Sequence, residues 1–343
     1  MIISRTPYRI SFFGGGTDYP VWYQENGGAV LSTSIDKFAF ITCRYLPPYF
    51  EHRSRVVYSR IELVNDNVEI EHPAVRETLR HMGVHEGVEV HYDGDMPART
   101  GIGSSSSFTV GLLHALYALR GRMPTKQQLA LDAIRVEQQL IGENVGSQDQ
   151  VAAAYGGFNY ITFNPSGSFE VTPLILPPHR LDEFSRNLLL VFTGFSRNAS
   201  EIAASQVRAT PRRRMELLTM RQMVDEAVAI LTGDADLSEF GALLDEGWRL
   251  KRSLTSDIST PAIDDIYAAA RSAGALGGKL LGAGGGGFLL FFVQPELRAR
   301  VIKRLEPLTV VPFELDTTGS QIVVYQPSAP LRTRVAESLP VAA

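Results

Sequence analysis

Three glycine-rich segments and two carboxylates are the groups in this chain whose types and spacing could do chemistry. The first segment is Gly14-Gly15-Gly16-Thr17-Asp18. The second runs from Pro97 through Thr100, Gly101, Ile102 and Gly103 to Ser104, Ser105, Ser106 and Ser107. The third is Gly282-Ala283-Gly284-Gly285-Gly286-Gly287. Glycine permits positive φ and lets backbone N–H groups approach an anion closely. A helix N-terminus adds unpaired donors and a partial positive charge. The second segment combines both, because a helical pattern follows at about 105–120. Its serines also offer hydroxyls to phosphate oxygens or to Mg²⁺, a hard cation that takes oxygen ligands. It reads as a cradle for nucleotide phosphates. On local chemistry alone, a Ser-rich helix cap with a loose entry loop explains the same residues.

Two common nucleotide motifs are excluded. A P-loop needs G-x-x-x-x-G-K-[ST], and around Gly278-Lys279 the positions held by Ala273 and Leu280 break it. The third segment satisfies G-x-G-x-x-G at Gly282, Gly284 and Gly287, but the strand-like run Phe288–Val293 follows where a dinucleotide site needs a helix. This argues against a nicotinamide-dependent dehydrogenase.

Glu137 shares a helical face with Ala130, Ile134 and Ile141. A carboxylate in an apolar stripe is costly unless paired or bound to a cation, so a metal ligand and a buried salt bridge fit equally. Asp149 lies in Ser147-Gln148-Asp149-Gln150, which matches a capping box with Ser147 as N-cap. In a first helical turn the dipole stabilises a carboxylate charge. Such a group can accept or orient a substrate hydroxyl proton, or it can simply stabilise the helix. The seven histidines form no metal pattern and are expected on the surface or in loops. Arg212-Arg213-Arg214 reads as a solvated helix start.

Strands are expected over 2–13, 35–45 and 86–93, and helices over 105–120, 126–141 and 149–155. Residues 164–186 carry four prolines and little periodicity, and a domain boundary is placed near 185. A strand at Asn187–Gly194 then opens a half with helices over 198–207, 211–231, 237–253 and 261–273. Two strands around the third glycine segment follow, then a loose tail at 329–343. The 343 residues, 44% hydrophobic, suit two globular α+β domains. The net charge of −4 argues against general nucleic-acid binding. With no run of 18 apolar residues, no membrane partner is expected, and a cytoplasmic location fits. Cys43 sits in a strand pattern and reads as a buried thiol.

The three segments, in this order, resemble the signature motifs of the GHMP kinases, and most of all those of bacterial D-glycero-D-manno-heptose 7-phosphate kinases. The matching segments are Arg9-Ile10-Ser11-Phe12 with GGGTD, MPARTGIGSSSS, GSQDQVAAAYGG, TGFSRNASEI and GGKLLGAGGGGF. They span about residues 3–327, although a lysine is expected where this chain has Ser147. The resemblance implies a two-domain fold: an N-terminal domain (1–185) like the second domain of ribosomal protein S5, and a ferredoxin-like C-terminal domain (186–328). It implies ATP and Mg²⁺ as cofactors and a small sugar phosphate as partner; a homodimer is compatible with it. ATP phosphates would lie on Pro97 and Thr100 to Ser106, and Mg²⁺ on Ser105 and Glu137. Asp149 would act on the anomeric hydroxyl, with Arg9 beside it. Gly15, Gly16, Thr17 and Asp18 would hold the sugar, with Gly284, Gly285 and Gly286 closing over it. A distal phosphate needs its own donors, for which Arg197 is the first candidate and Lys251 the second. Alternatives are an L-fucose, galactose or related hexose kinase, and a catalytically silent ligand sensor.

Overall fold

The computed structural model describes residues 1–194, 199–327 and 329. The first half runs β1 (Ile2–Phe13), α1 (Pro20–Asn26), β2 (Gly28–Tyr45), β3 (Ser54–Val57), β4 (Ile61–Val64), α2 (Pro73–Met82), β5 (Val88–Gly94), α3 (Ser104–Leu119), α4 (Lys126–Ile134), α5 (Gln148–Tyr155), β6 (Phe158–Phe163) and β7 (Phe169–Pro173). The second runs α6 (Pro178–Arg186), β8 (Leu188–Phe192), α7 (Ala199–Ala209), α8 (Arg214–Thr232), α9 (Ser238–Leu254), α10 (Pro261–Ala273), β9 (Gly277–Leu280), β10 (Phe288–Phe292), α11 (Pro295–Arg304), β11 (Thr309–Val311), β12 (Leu315–Asp316) and β13 (Gln321–Tyr325).

Among the described residues, nine strands form the first sheet, ordered β13-β1-β2-β5-β3-β4, with β6, its partner β7, and β12 also reached through β2. The four strands of the second are all antiparallel, in the order β11-β8-β10-β9. Numbered along the chain, that order is fourth, first, third, second, which is the ferredoxin-like arrangement. Residues 315–325, grouped above with the second half, lie instead in the first sheet, where β13 pairs β1 and β12 pairs β2.

An aromatic cluster joins the sheets. Phe12 of β1 meets Phe240 of α9 at 5.6 Å and Phe184 of α6 at 5.5 Å, and Phe184 meets Phe240 edge-on at 4.9 Å. Edge-to-face pairs of this kind add to their area burial. All three rings are essentially without exposure, so the two halves share one apolar floor, and the loops above it are held in fixed relation.

Local rules explain where the sequence reading succeeds and fails. The stretch 164–186, read as irregular, holds β7 and α6. Its prolines are boundary residues: Pro173 ends a strand and Pro178 opens a helix, where a missing N–H costs nothing. β2 begins at Gly28 rather than near 35, because Gly28 to Thr33 pair with β6. The helix expected over 126–141 is α-helical only to Ile134 and continues as a π-helical stretch, Arg135–Ile141. The histidines are not all peripheral: His114 sits in α3 against Ser320, and burial pushes its imidazole down to about 4. Cys43 is buried, which pushes its thiol up to about 12. No helix among the described residues is long and apolar enough to cross a membrane. The expected tail lies outside the described residues, save Ala329.

Candidate active site

A cleft of about 210 Å³ opens above the aromatic floor, and all three glycine segments reach it. At its centre, Arg9 of β1 donates from Nε to Asp149 Oδ1 (2.8 Å) and from Nη2 to Asp149 Oδ2 (2.7 Å). This is the two-pronged pairing that fixes a carboxylate in direction as well as in charge. Arg9 Nη1 donates to the carbonyl of Gly101 at 2.5 Å, and the Arg9 N–H donates to the carbonyl of Ile102 at 3.0 Å. One side chain thus ties β1, the second glycine segment and α5 together. Gly103 makes this possible: at φ 76° it lies in the left-handed region, and a Cβ there would stand 3.2 Å from Arg9 Cγ.

Gly103 also precedes α3 without capping it by a side chain, so the first-turn donors at Ser104, Ser105 and Ser106 stay free of a cap and border the cleft. Gly101 and Gly103 line it too. Thr100 and Ile102 are buried. Thr100 Oγ1 donates to the carbonyl of Pro97 at 2.7 Å, so these three residues shape the loop.

Asp149 is the second residue of α5, but the expected capping box is absent. Ser147 already has helical dihedrals, and its side chain caps nothing. Its Oγ accepts instead from Gln138 Nε2 at 3.1 Å. The helix start is satisfied by Asp18, whose carbonyl accepts from Ser147 N–H (2.9 Å) and whose Oδ2 accepts from Gln148 N–H (3.4 Å). Asp18 Oδ1 accepts from Gly16 N–H at 2.9 Å. Burial, then the charge of Asp149, push the Asp18 carboxyl above its ordinary value. Gly15, Gly16 and Asp18 border the cleft, whereas Thr17 is buried and bonds the carbonyls of Gly14 (2.8 Å) and Ala29 (2.9 Å).

Glu137 lies in the π-helical stretch with no exposure. Such widened turns recur at functional sites. Its Oε2 accepts from Ser106 Oγ at 2.8 Å and from Gln150 Nε2, while Oε1 has no hydrogen-bond partner among the described residues. Burial pushes its carboxyl up to about 7, against the pull of Thr109 and Ser106. Neither of these two donors is a cation, so the buried salt bridge allowed by the sequence is not formed among the described residues. An orphaned buried oxygen beside a serine of the phosphate loop fits a cation ligand. The neighbouring serine is Ser106, with Ser105 one residue away on the cleft wall.

In the third segment, Gly282 and Ala283 reach the cleft. Gly284, Gly285 and Gly286 are buried; Gly285 N–H donates to the carbonyl of Ile258 at 2.9 Å, and a Cβ on Gly284 would stand 2.7 Å from that oxygen. Gly282 packs on the phosphate loop, where a Cβ would stand 2.4 Å from Gly101 Cα. Two lysines complete the wall. Lys251 Nζ donates to the carbonyl of Gly282, and Lys279 Nζ to that of Phe12 at 2.8 Å. Lys279 was missed as a site residue, although a lysine in the apolar run before the glycines was a signal. Arg197 lies outside the described residues.

The family model "GHMP kinases N terminal domain" matches residues 69–157, and "GHMP kinases C terminal" matches residues 226–306. The chain belongs to the GHMP kinases. This kinase is therefore an ATP-dependent phosphotransferase. The N-terminal match contains the phosphate loop, Glu137 and Asp149, and the C-terminal match contains both lysines and the third glycine segment. The kinase is 26% identical to D-glycero-alpha-D-manno-heptose 7-phosphate kinase of Campylobacter jejuni, across 89% of this chain and 93% of that one. It is 25% identical to the bifunctional fucokinase/GDP-fucose pyrophosphorylase of Arabidopsis thaliana, across 88% of this chain and 30% of that one. Among solved structures, a D-glycero-D-manno-heptose 1-phosphate kinase from Bacteroides thetaiotaomicron shares the fold with a TM-score of 0.74. It is 24% identical, with 93% of this chain and 98% of that one covered.

Proposed function

We propose that this kinase transfers the γ-phosphoryl group of ATP to the anomeric hydroxyl of D-glycero-D-manno-heptose 7-phosphate. The product would be the 1,7-bisphosphate, a precursor of nucleotide-activated heptose for surface glycans. The observation that carries the chemistry is the Arg9–Asp149 fork, held against the uncapped start of α3 inside one cleft. The Campylobacter relative, similar over nearly its whole length, supports the heptose assignment.

ATP phosphates rest on the N–H groups of residues 101–106. Asp149 accepts or orients the anomeric proton. Arg9 holds that carboxylate in place and, through the carbonyl of Gly101, holds the loop as well. Phosphoryl transfer depends mainly on positioning and charge neutralisation, and a fixed carboxylate beside fixed donors supplies both. Mg²⁺, when bound, supplies neutralisation of the β- and γ-phosphates. Glu137 with Ser105 and Ser106 would hold it. Asp18, Gly15 and Gly16, which line the cleft, would hold the sugar. We place the reaction in the cytoplasm.

The second reading is an L-fucose or related hexose 1-kinase, favoured by similarity to the plant fucokinase. ADP release over a panel of free sugars and sugar phosphates separates the two. Turnover with heptose 7-phosphate well above that with L-fucose or galactose is expected. Preference for a free hexose contradicts the heptose reading, and no ADP release with any acceptor favours a ligand sensor.

A further inference from the structure

Lys251 and Lys279 are 6% and 7% exposed, and both border the cleft. Each ammonium has one hydrogen-bond partner among the described residues, the carbonyl of Gly282 for Lys251 and that of Phe12 for Lys279. Neither forms an ion pair with a carboxylate among the described residues. An ammonium has three donors, so each keeps two to offer. Asp18 and Asp149 are the acidic groups near Lys251, yet their oxygens are committed elsewhere, Asp18 to backbone N–H groups and Asp149 to Arg9.

A buried charge is normally paired. A tie between the second sheet and β1 could be made by a neutral donor without that cost. Burial first, then the charges of Lys251 and Arg9, push the Lys279 ammonium well below its ordinary value, and an anion joining the two lysines would restore its charge. Burial and the positive charge of Arg9 already draw the Lys251 ammonium down to about 8. The pair is also aimed at the reaction. Lys251 holds the carbonyl of Gly282, Gly282 packs on Gly101, and Gly101 accepts from Arg9.

We infer that Lys251 and Lys279 together form a phosphate-binding pair on the second-sheet wall of the cleft. This rests on the reading of the cleft as a phosphoryl-transfer site. A tetrahedral phosphate dianion supplies both the missing counter-charge and acceptors for the spare donors. Two phosphates can reach this wall: the group in transit from ATP, and one carried by the acceptor.

Lys251→Gln and Lys279→Gln keep a donor for the backbone carbonyl and remove the charge. Each should lower kcat/KM by about 10- to 150-fold, the loss of one charged contact, with KM for ATP little changed. A fall in kcat at saturating acceptor assigns the pair to the moving phosphoryl group. A rise in KM for the acceptor with kcat retained assigns it to the acceptor's own phosphate. A change below threefold in both variants overturns the pair. A second measurement needs neither a variant nor a known acceptor. The chain has five lysines, so ε-¹³C-lysine NMR of the wild-type protein resolves them individually. Inorganic phosphate should move the Lys251 and Lys279 signals together. If it leaves both unmoved, the inference fails even where the kinase reading stands. If both move while no sugar is phosphorylated, the acceptor assignment fails and the lysine pair stands.

Discussion

Two acids of this kinase, one partly exposed and one fully buried, sit on neighbouring elements and live in opposite surroundings. Asp149 is gripped by a guanidinium through both oxygens and keeps an opening to the cleft. Glu137 is sealed in a π-helical turn among neutral donors, one oxygen has no partner among the described residues, and its carboxyl is pushed up to about 7 by burial. Environments that separate two carboxyl groups in this way assign them different work. Asp149 is a charge already paid for and fixed in direction, suited to receive or orient a proton. Glu137 becomes comfortable as an anion only when a cation arrives.

The comparison breaks most visibly at Asp149. Asp149→Asn keeps size and helix position but removes the charge. It should lower kcat by about 10²–10⁴-fold, while calorimetry shows ATP binding retained. A variant that keeps more than about a third of wild-type kcat removes Asp149 from the chemistry. Glu137→Gln should raise the Mg²⁺ concentration needed for half-maximal activity, because a neutral amide is a poorer ligand for a hard cation. A thermal melt that falls while the Mg²⁺ requirement stays fixed would make Glu137 purely structural.

Metal-free protein sharpens the contrast through pH. The Glu137 carboxyl titrates near 4.5 when unfolded and near 7 when folded. Below 4.5 both states hold the proton, and burial of Glu137 carries no ionisation cost. As pH rises toward 7, the unfolded chain ionises first, and stability is lost by about 3 kcal/mol. Denaturant melts in a chelator should show this loss in wild type and not in Glu137→Gln. Equal pH dependence in the two would contradict the burial argument. The smallest effect is expected at Gly103. Gly103→Ala forces a side chain into a left-handed position beside Arg9, a strain of about 1–2 kcal/mol. About a tenfold fall in kcat with an unaltered Mg²⁺ requirement would show that the fork and the cation site are separable. Parallel loss of both would show that they are not.

Much of this site was legible as sequence. The glycine loop before α3, Asp149 at a helix start and Glu137 inside an apolar stripe all follow from local patterns. What was not legible depends on distant partners. Ser147-Gln148-Asp149-Gln150 looked like a capping box because a sequence shows only near neighbours; the real cap is Asp18, 130 residues from Gln148. Gln150, cast as its partner, turns to Glu137 instead. The glycine run read as closing over the substrate is mostly consumed by packing on Ile258 and Thr100, and only Gly282 and Ala283 face the cleft. Lys279 carried a signal, a charge inside an apolar strand, whose meaning required knowing that Phe12 and the cleft lie beside it. In the fold, the strands after Val311 return to the first sheet, and no local pattern specifies with which sheet a short strand pairs.

The central claim concerns which oxygen receives the phosphoryl group, and ³¹P NMR of the reaction mixture tests it directly. With ATP, Mg²⁺ and D-glycero-D-manno-heptose 7-phosphate, a second sugar phosphate signal should appear, coupled to the anomeric proton, while the 7-phosphate signal persists. A new phosphate on any other carbon, or ADP with free inorganic phosphate and no new sugar phosphate, would contradict it.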